Sequence, residues 1–465
     1  MASILFINPP SRRQVYLETN IRVGAPSYPN LTLATLAGHL VKEHKVRVVD
    51  LDFSVNPLKD LKAKVLEFKP DVVAASVKTP DYFTVRDLFR AVKKEFPGVK
   101  TVAGGVHVSA LPEEASGESC FDVLVIGEGD TTLLEWLGQD DKIKTPGMMV
   151  RAEDGCMVSS GIRDKMPSLD SLPFPAWHLY ELKRYSNSRL SSRKNPVGHL
   201  ETSRGCAYNC NFCSKIIFGN RFRVKSPERV LDEIEYMLGC GFKEIHIVDD
   251  SFTQDIERAK EICRRIIQRN LKFPWSLING IRVDKVDDEF FQLAKRAGCW
   301  QAGFGLETGD QRVLDKVNKR ITLAQTEKAV KMASKAGVES FGFFIFALDG
   351  ETEESMKRTI GFAKSLPLSM AKFDICIPYP GTPFYNDLEK QGRILTKDWS
   401  KYNCHQLEEP LFSHLNVSWQ TVGYYYKKAF RDFYFRPSYI GKRILRSIKN
   451  GDLFHDLKYF LNFKW

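Results

Sequence analysis

Short apolar runs rich in β-branched residues recur along most of this 465-residue chain, each followed by a stretch with helical period. This rhythm is the strongest constraint on the fold, because strands that alternate with helices pair in parallel through right-handed crossovers. The first series lies in residues 1–137: Ile4–Asn8, Val46–Leu51, Val72–Val77, Lys100–Gly104 and Val123–Gly127. Runs of this kind suit strands buried on both faces, and "LTLATLAGHLVKE" and "DYFTVRDLFRAVKKEF" supply helices between them. The expected fold class is α/β, opening with a Rossmann-like, doubly wound parallel sheet. A second series fills residues 196–389: Val197–Ser203, Glu244–Asp249, Trp275–Asn279, Gln301–Glu307, Ser340–Leu348 and Lys372–Tyr379. Six such units curl into a partial (β/α)6 barrel. Residues 138–195, with "PSLDSLPFPAWHLY", read as a linker, and 390–465 as a helical, basic and aromatic region interrupted by Pro437.

Both architectures bind ligands beyond the carboxyl ends of their strands. In the first series those ends carry Asn8-Pro9-Pro10, Asp50-Leu51-Asp52, Ser76 to Pro80, Gly104-Gly105 and Gly127-Glu128-Gly129. Glycine there lets backbone approach a ligand closely.

In the second series the first strand runs into "SRGCAYNCNFCSKIIFG", which places Cys206, Cys210 and Cys213 within eight residues. The other seven cysteines are scattered and read as small buried hydrophobes. In a reducing compartment, closely spaced cysteines are metal ligands or catalytic groups more often than bridges. A structural zinc needs four protein ligands, and only His199, seven residues upstream, is near in sequence. A cubane iron–sulfur cluster held by three thiolates keeps one iron open for a substrate or cofactor.

Cys-x3-Cys-x2-Cys after the first strand of a six-unit βα barrel resembles the radical S-adenosylmethionine (SAM) superfamily. The resemblance implies a [4Fe–4S] cluster on Cys206, Cys210 and Cys213, whose open iron chelates the amino and carboxylate groups of SAM. Reductive cleavage then gives a 5′-deoxyadenosyl radical, with electrons from a flavodoxin or ferredoxin. It implies that Phe212 packs near adenine and that Asp249 or Asp250, in "VDDSFT", meets the SAM ammonium. Glu307 in "GLETG" matches the polar residue on the ribose, and Lys319 or Arg320 in "KVNKRIT" matches a partner for the SAM carboxylate. "FGFFIFALDGET" resembles the adenine-binding fifth-strand segment, with Ala347 where glycine is usual. "PYPGTPFY" resembles the end of the sixth strand.

The domain before the barrel resembles the cobalamin-binding subfamily through "NPP", "YPNLTLATLAGHL", "AGGVHVSALPEEA" and "DVLVIGEGD". Together the resemblance covers about residues 1–390. It implies cobalamin beside Asn8, Pro9, Asp50, Ser76, Gly104, Gly105, Gly127 and Glu128. One departure stands out. Many such domains carry Asp-x-His-x-x-Gly after the second strand, and "VVDLDFSVNP" has Asp52 in place of the histidine. Carboxylate is a poor substitute for imidazole on cobalt, so the resemblance implies cobalamin without a protein ligand from below.

The function implied is methylation of an unactivated carbon in a lipid, tetrapyrrole or natural-product intermediate; cyclisation, rearrangement or oxidation of such a substrate is the alternative. A tRNA-modifying methylthiotransferase would need three further cluster cysteines near the start, where only Cys120 and Cys156 occur. A basic nucleic-acid-binding protein with a zinc knuckle would be colourless and hold zinc. The formal charge of +11 is concentrated late: Lys427 to Lys464 holds ten Lys or Arg against three Asp. With its aromatic residues this region suits contact with a bilayer surface or packing over the barrel. The start lacks the basic n-region of a signal peptide, and no apolar run approaches a membrane span, so the reading is cytoplasmic, with peripheral membrane contact.

Overall fold

The computed structural model describes residues 1–12, 26–139, 142–405 and 409–450. The aromatic tail segment "LFHDLKYFLNFKW" lies outside them.

The first sheet takes the five expected parallel strands in the order β2-β1-β3-β4-β5: β1 (Ser3–Asn8), β2 (Lys45–Asp50), β3 (Val72–Ser76), β4 (Lys100–Gly104) and β5 (Val123–Val125). Two antiparallel strands, β6 (Met148–Arg151) and β7 (Met157–Ser159), extend it beyond β5. They come from the stretch read as linker. Each is only three or four residues long, too short for a period to register. Helix α1 (Leu31–Leu40) begins at Asn30, whose side chain caps Leu33 N. On one face of the sheet it packs with α6 (Asp130–Gly138) over Phe6, Ala74, Val102 and Val125. Helices α2 (Pro57–Phe68) and α3 (Tyr82–Glu95) cover the other face, and the short α4 (Val106–Ala110) and α5 (Pro112–Ser116) follow β4.

The remainder of the linker crosses the strand ends. Ala176 N donates to Ala34 O, and the hydroxyls of Tyr180 and Tyr185 donate to Asn30 O and Asp50.

The second sheet is parallel throughout, in the order β15-β14-β13-β12-β11-β8. Its strands are β8 (Val197–Leu200), β11 (Glu244–Ile247), β12 (Trp275–Ile281), β13 (Cys299–Glu307), β14 (Glu339–Phe346) and β15 (Met370–Ile375). A two-stranded ribbon, β9 (Ser203–Arg204) with β10 (Arg223–Val224), closes the cysteine loop at its base. Helices α7 (Pro227–Cys240), α8 (Ile256–Gln268), α9 (Asp288–Arg296), α10 (Gln311–Lys316), α11 (Leu323–Lys335) and α12 (Glu353–Ser365) follow the strands in turn. Beyond α13 (Pro383–Lys390) the chain is irregular until α14 (Trp419–Tyr434) packs on β15, where Phe373 meets Phe430 and Phe433. Pro437 ends that run and starts α15 (Pro437–Asn450). Among the described residues no helix is long and apolar enough to cross a membrane.

Candidate functional site

The cysteine loop leaves β9 at Gly205, which has φ +81° and approaches Arg221 so closely that a Cβ would lie 2.2 Å from its carbonyl oxygen. The loop is pinned from three sides. Asn211 N donates to Val317 O, Asn318 Nδ2 to Asn209 O, and Phe384 N to Asn211 O. From within, Lys215 Nζ donates to the carbonyls of Cys206 and Tyr208. The result is a loop held in shape by its neighbours and by its own lysine.

All three thiols are free of disulfides. Burial, then the neighbouring Cys210, Cys206 and Asp250, pushes Cys213 up to about 12, although its side chain opens on a cavity. Burial likewise raises Cys210. Burial disfavours the ionised thiols of Cys210 and Cys213, so their thiolates call for a cationic centre beside them, and the donor set suits a metal cluster. A single ion fits less well. Among the described residues, one group of three metal-ligating side chains has all its ligand atoms within 4.8 Å of one another, and it lies elsewhere, at Asp374, Cys404 and His405. His199 does not complete a zinc site: its ring lies 4.2 Å from that of Tyr28 and 6.1 Å from that of His246.

Around the loop, the expected SAM-side residues divide by role. Asp249 is fully engaged, accepting from Thr202 N (2.6 Å), Thr202 Oγ1 (2.5 Å) and Ser203 Oγ (2.6 Å), which fastens the second strand end to the first. Asp250 instead lines the cavity, its carboxylate accepting from Gly205 N at 3.2 Å. Glu307, held at φ +62°, forms a buried ion pair with Lys319, so the Lys319 ammonium is already matched. Arg320 is exposed and bonds Asn318. Arg282, which the sequence reading missed, donates to the carbonyls of Lys319 and Arg320, with its guanidinium 3.5 Å from the centre of the Tyr208 ring. Phe212 is half-buried against the core. Ala347 sits at φ +61°, the left-handed conformation that explains why glycine suits this position.

The cavity beside the loop has a volume of about 570 Å³ and is lined from both domains. The barrel contributes Cys206, Cys213, Ser214–Gly219, Asp250 and Asn279. The first sheet contributes Asn30, Thr32, Ser76, Lys78, Gly104, Gly105 and Gly127, with Ala74 and Thr35 lining a deeper recess between β3 and α1. Gly105 has φ +98°, and a Cβ there would meet Val77 N at 2.8 Å; Gly127 has φ +79° and nothing within 4 Å of such a Cβ. At Gly105 the missing Cβ lets neighbouring strand ends pack closely, whereas at Gly127 bare backbone faces open space, which fits a broad, flat ligand such as a corrin.

Three expected cofactor residues stand off the cavity wall. Asn8 bonds Asp50 and Asn30, Asp50 also accepts from Tyr185, and Pro9 lies beside them. Asp52 accepts from Arg12 N at 2.8 Å and is pushed up to about 6, chiefly by burial. Glu128 does line the cavity, but its carboxylate is held by Arg204 (2.6 Å) and Arg223. Buried Arg204 also binds Asp130 (2.5 Å) and Glu201 (2.6 Å), so one guanidinium clamps the first domain onto the base of the cysteine loop. No motif announces this pairing, since its partners are some 75 residues apart.

Comparison with known proteins follows the same division. A model of the radical SAM superfamily matches residues 200–363, and one of the B12 binding domain matches residues 19–137. An uncharacterized methyltransferase of Pyrococcus horikoshii is 32% identical over 447 residues, covering 95% of this chain and 94% of that one. The chain belongs to the cobalamin-binding radical SAM enzymes. Its cofactors are the family's: a [4Fe–4S] cluster, SAM and cobalamin. A second relative of this family member, the anaerobic magnesium-protoporphyrin IX monomethyl ester cyclase of Rubrivivax gelatinosus, is 26% identical, covering 84% of this chain and 72% of that one. Among solved structures, the cobalamin-dependent SAM radical enzyme OxsB, with aqua-cobalamin and SAM bound, superposes with a TM-score of 0.74. It covers 99% of this chain and 72% of that one at 16% identity, a likeness of fold.

Proposed function

We propose that this enzyme methylates an unactivated carbon of a lipid, tetrapyrrole or natural-product intermediate. The observation that carries the reading is the shared cavity, where Cys206 and Cys213 from the barrel face Ser76, Gly104, Gly105 and Gly127 from the first domain. In this reading residues 1–137 hold cobalamin and 196–389 hold the cluster and SAM. The cluster with SAM supplies one-electron hydrogen abstraction, and cobalamin supplies a transferable methyl group.

The chain's own residues then have distinct tasks. Cys206, Cys210 and Cys213 ligate the cluster. Asp250 is the carboxylate free to accept from the SAM ammonium, while Asp249 keeps the loop base in place. Glu307 offers an oxygen to the ribose and is itself oriented by Lys319. Gly127 would let a corrin lie against backbone, and Gly104 and Gly105 bring the strand ends of that wall close together. With Asp52 turned to Arg12 N, no carboxylate from that position ligates cobalt. The Arg204 clamp keeps the two halves in register.

Cyclisation of a tetrapyrrole-like substrate is the second reading, favoured by the cyclase relative. Product analysis separates the two. With enzyme reconstituted without oxygen, label from methyl-labelled SAM should appear in product alongside 5′-deoxyadenosine. Release of 5′-deoxyadenosine with an unlabelled, oxidised or cyclised product would overturn methylation, and absence of iron and cobalt would overturn both.

A membrane-derived substrate is favoured by α15. This helix turns Tyr439 and Ser447 toward the barrel, with Arg446 paired to Glu339, and presents Ile444, Leu445 and Ile448 outward at 45%, 71% and 59% exposure beside exposed Lys442. An apolar face rimmed by basic charge suits an anionic bilayer surface. Co-sedimentation with vesicles containing anionic lipid, lost in the Leu445→Asp/Ile448→Asp variant, is the expected result; equal sedimentation of both proteins would remove the contact.

A further inference from the structure

A second set of metal-ligating side chains lies at the free edge of the barrel's last strand. Along β15, Ala371, Phe373 and Ile375 are buried and Phe373 packs outward on α14, so Lys372 and Asp374 occupy the opposite, inner face. Ile375 N donates to Cys404 O, which lays residues 402–405 along the strand edge and brings Cys404 and His405 to Asp374. One carboxylate oxygen, the Cys404 sulfur and one His405 ring nitrogen all fall within 4.8 Å of one another.

We infer that Asp374, Cys404 and His405 form a binding site for a borderline-soft divalent transition ion of the zinc class, separate from the cluster loop. Carboxylate, thiolate and imidazole are the donors such an ion selects, and three protein ligands leave one position for water or a donor atom of a ligand. Two further features point the same way. Asp374 Oδ1 is buried and accepts no hydrogen bond of good geometry, although Lys372 Nζ lies 3.1 Å away. His405 Nδ1 lies 3.2 Å from Tyr426 Oη, so a hydroxyl on α14 orients the ring as outer-shell partners of metal-bound histidines do. Lys372 is the opposing element. Its ammonium neutralises Asp374 in the ion's place, but the side chain is 36% exposed and can swing to solvent. Binding forms a metal–sulfur bond and breaks the Cys404 S–H bond, with the proton released to solvent.

The test uses the full chain carrying its iron–sulfur cluster, dialysed without oxygen against limiting Zn2+ and analysed for zinc and iron together. One zinc per chain is expected beyond the cluster iron. Cys404→Ser and His405→Ala should weaken zinc binding by about 100-fold, leaving iron content and 5′-deoxyadenosine release unchanged. Lys372→Met should tighten it about tenfold by removing the competing charge, a change that a merely structural role for these residues would not produce. Zinc binding that is absent, or equal in all four proteins, overturns the site. A failure of the radical SAM assignment would appear instead as missing iron, so the two outcomes are distinguishable.

Discussion

The two walls of the cavity are built on opposite principles. The barrel wall is made of reactive and charged side chains, Cys206, Cys213 and Asp250, beside a loop stapled by Asn318, Phe384 and Lys215 and backed by the buried Glu307–Lys319 pair. The wall from the first domain is made largely of what is missing, with glycine at 104, 105 and 127 and small side chains at 74 and 76. Ligands held by bonds to metal need donors at fixed points. A large planar ligand held by contact needs clearance, and clearance comes from absent Cβ atoms. The contrast predicts that substitutions will fail differently on the two sides.

The largest effect is expected on the barrel side. Replacing Cys206, Cys210 or Cys213 by Ala should abolish the cluster's visible absorbance and reduce 5′-deoxyadenosine formation to background; a variant that keeps four irons and turns over would break the comparison. Next is the clamp between the walls. Arg204→Met removes the guanidinium from buried Asp130 and leaves Glu128 with Arg223 alone, with an expected loss of about 3–5 kcal/mol in denaturant unfolding. On the bare wall, Gly105→Ala combines a left-handed φ with a 2.8 Å approach to Val77 N, and should cost about 1–3 kcal/mol in stability as well as cobalamin. Gly127→Ala has open space around it, so it should cost only about 1 kcal/mol, while equilibrium dialysis reports weakened cobalamin binding. Equal effects on folding and cobalamin at both glycines would mean that the wall is scaffold only.

At the base of the barrel wall a pH dependence is expected as well. Burial raises Asp249 to about 6, above the ordinary carboxylate value. Its contribution to stability is therefore complete below about pH 4 and is lost as pH rises through about 6. Asp249→Asn should flatten that part of the stability–pH curve, by about 1–3 kcal/mol.

The same contrast explains what could be read from the sequence. The fold and family of the barrel side were legible because three cysteines stand at a short, unusual spacing, and because six strand–helix units around them leave few ways to fold. The glycines were legible as positions, through their place at strand ends. Asn8, Pro9 and Asp50 were expected at the ligand for the same positional reason, yet they form a network behind the wall, because polar groups at adjacent strand ends satisfy one another first. Asp249 and Asp250 are neighbours in sequence with opposite surroundings, and only the packing of Thr202 and Ser203 separates them. Arg204, Arg282 and the β6–β7 extension depend on pairings between distant residues or on strands too short to carry a pattern.

The stapling of the cysteine loop also sets an order of assembly. A nascent chain grown to residue 220 contains Cys206, Cys210 and Cys213, but Val317, Asn318 and Phe384, which hold the loop in shape, are not yet made. The loop can therefore take its final shape only after nearly the whole barrel has left the ribosome, which makes its completion a late event in the folding of the chain.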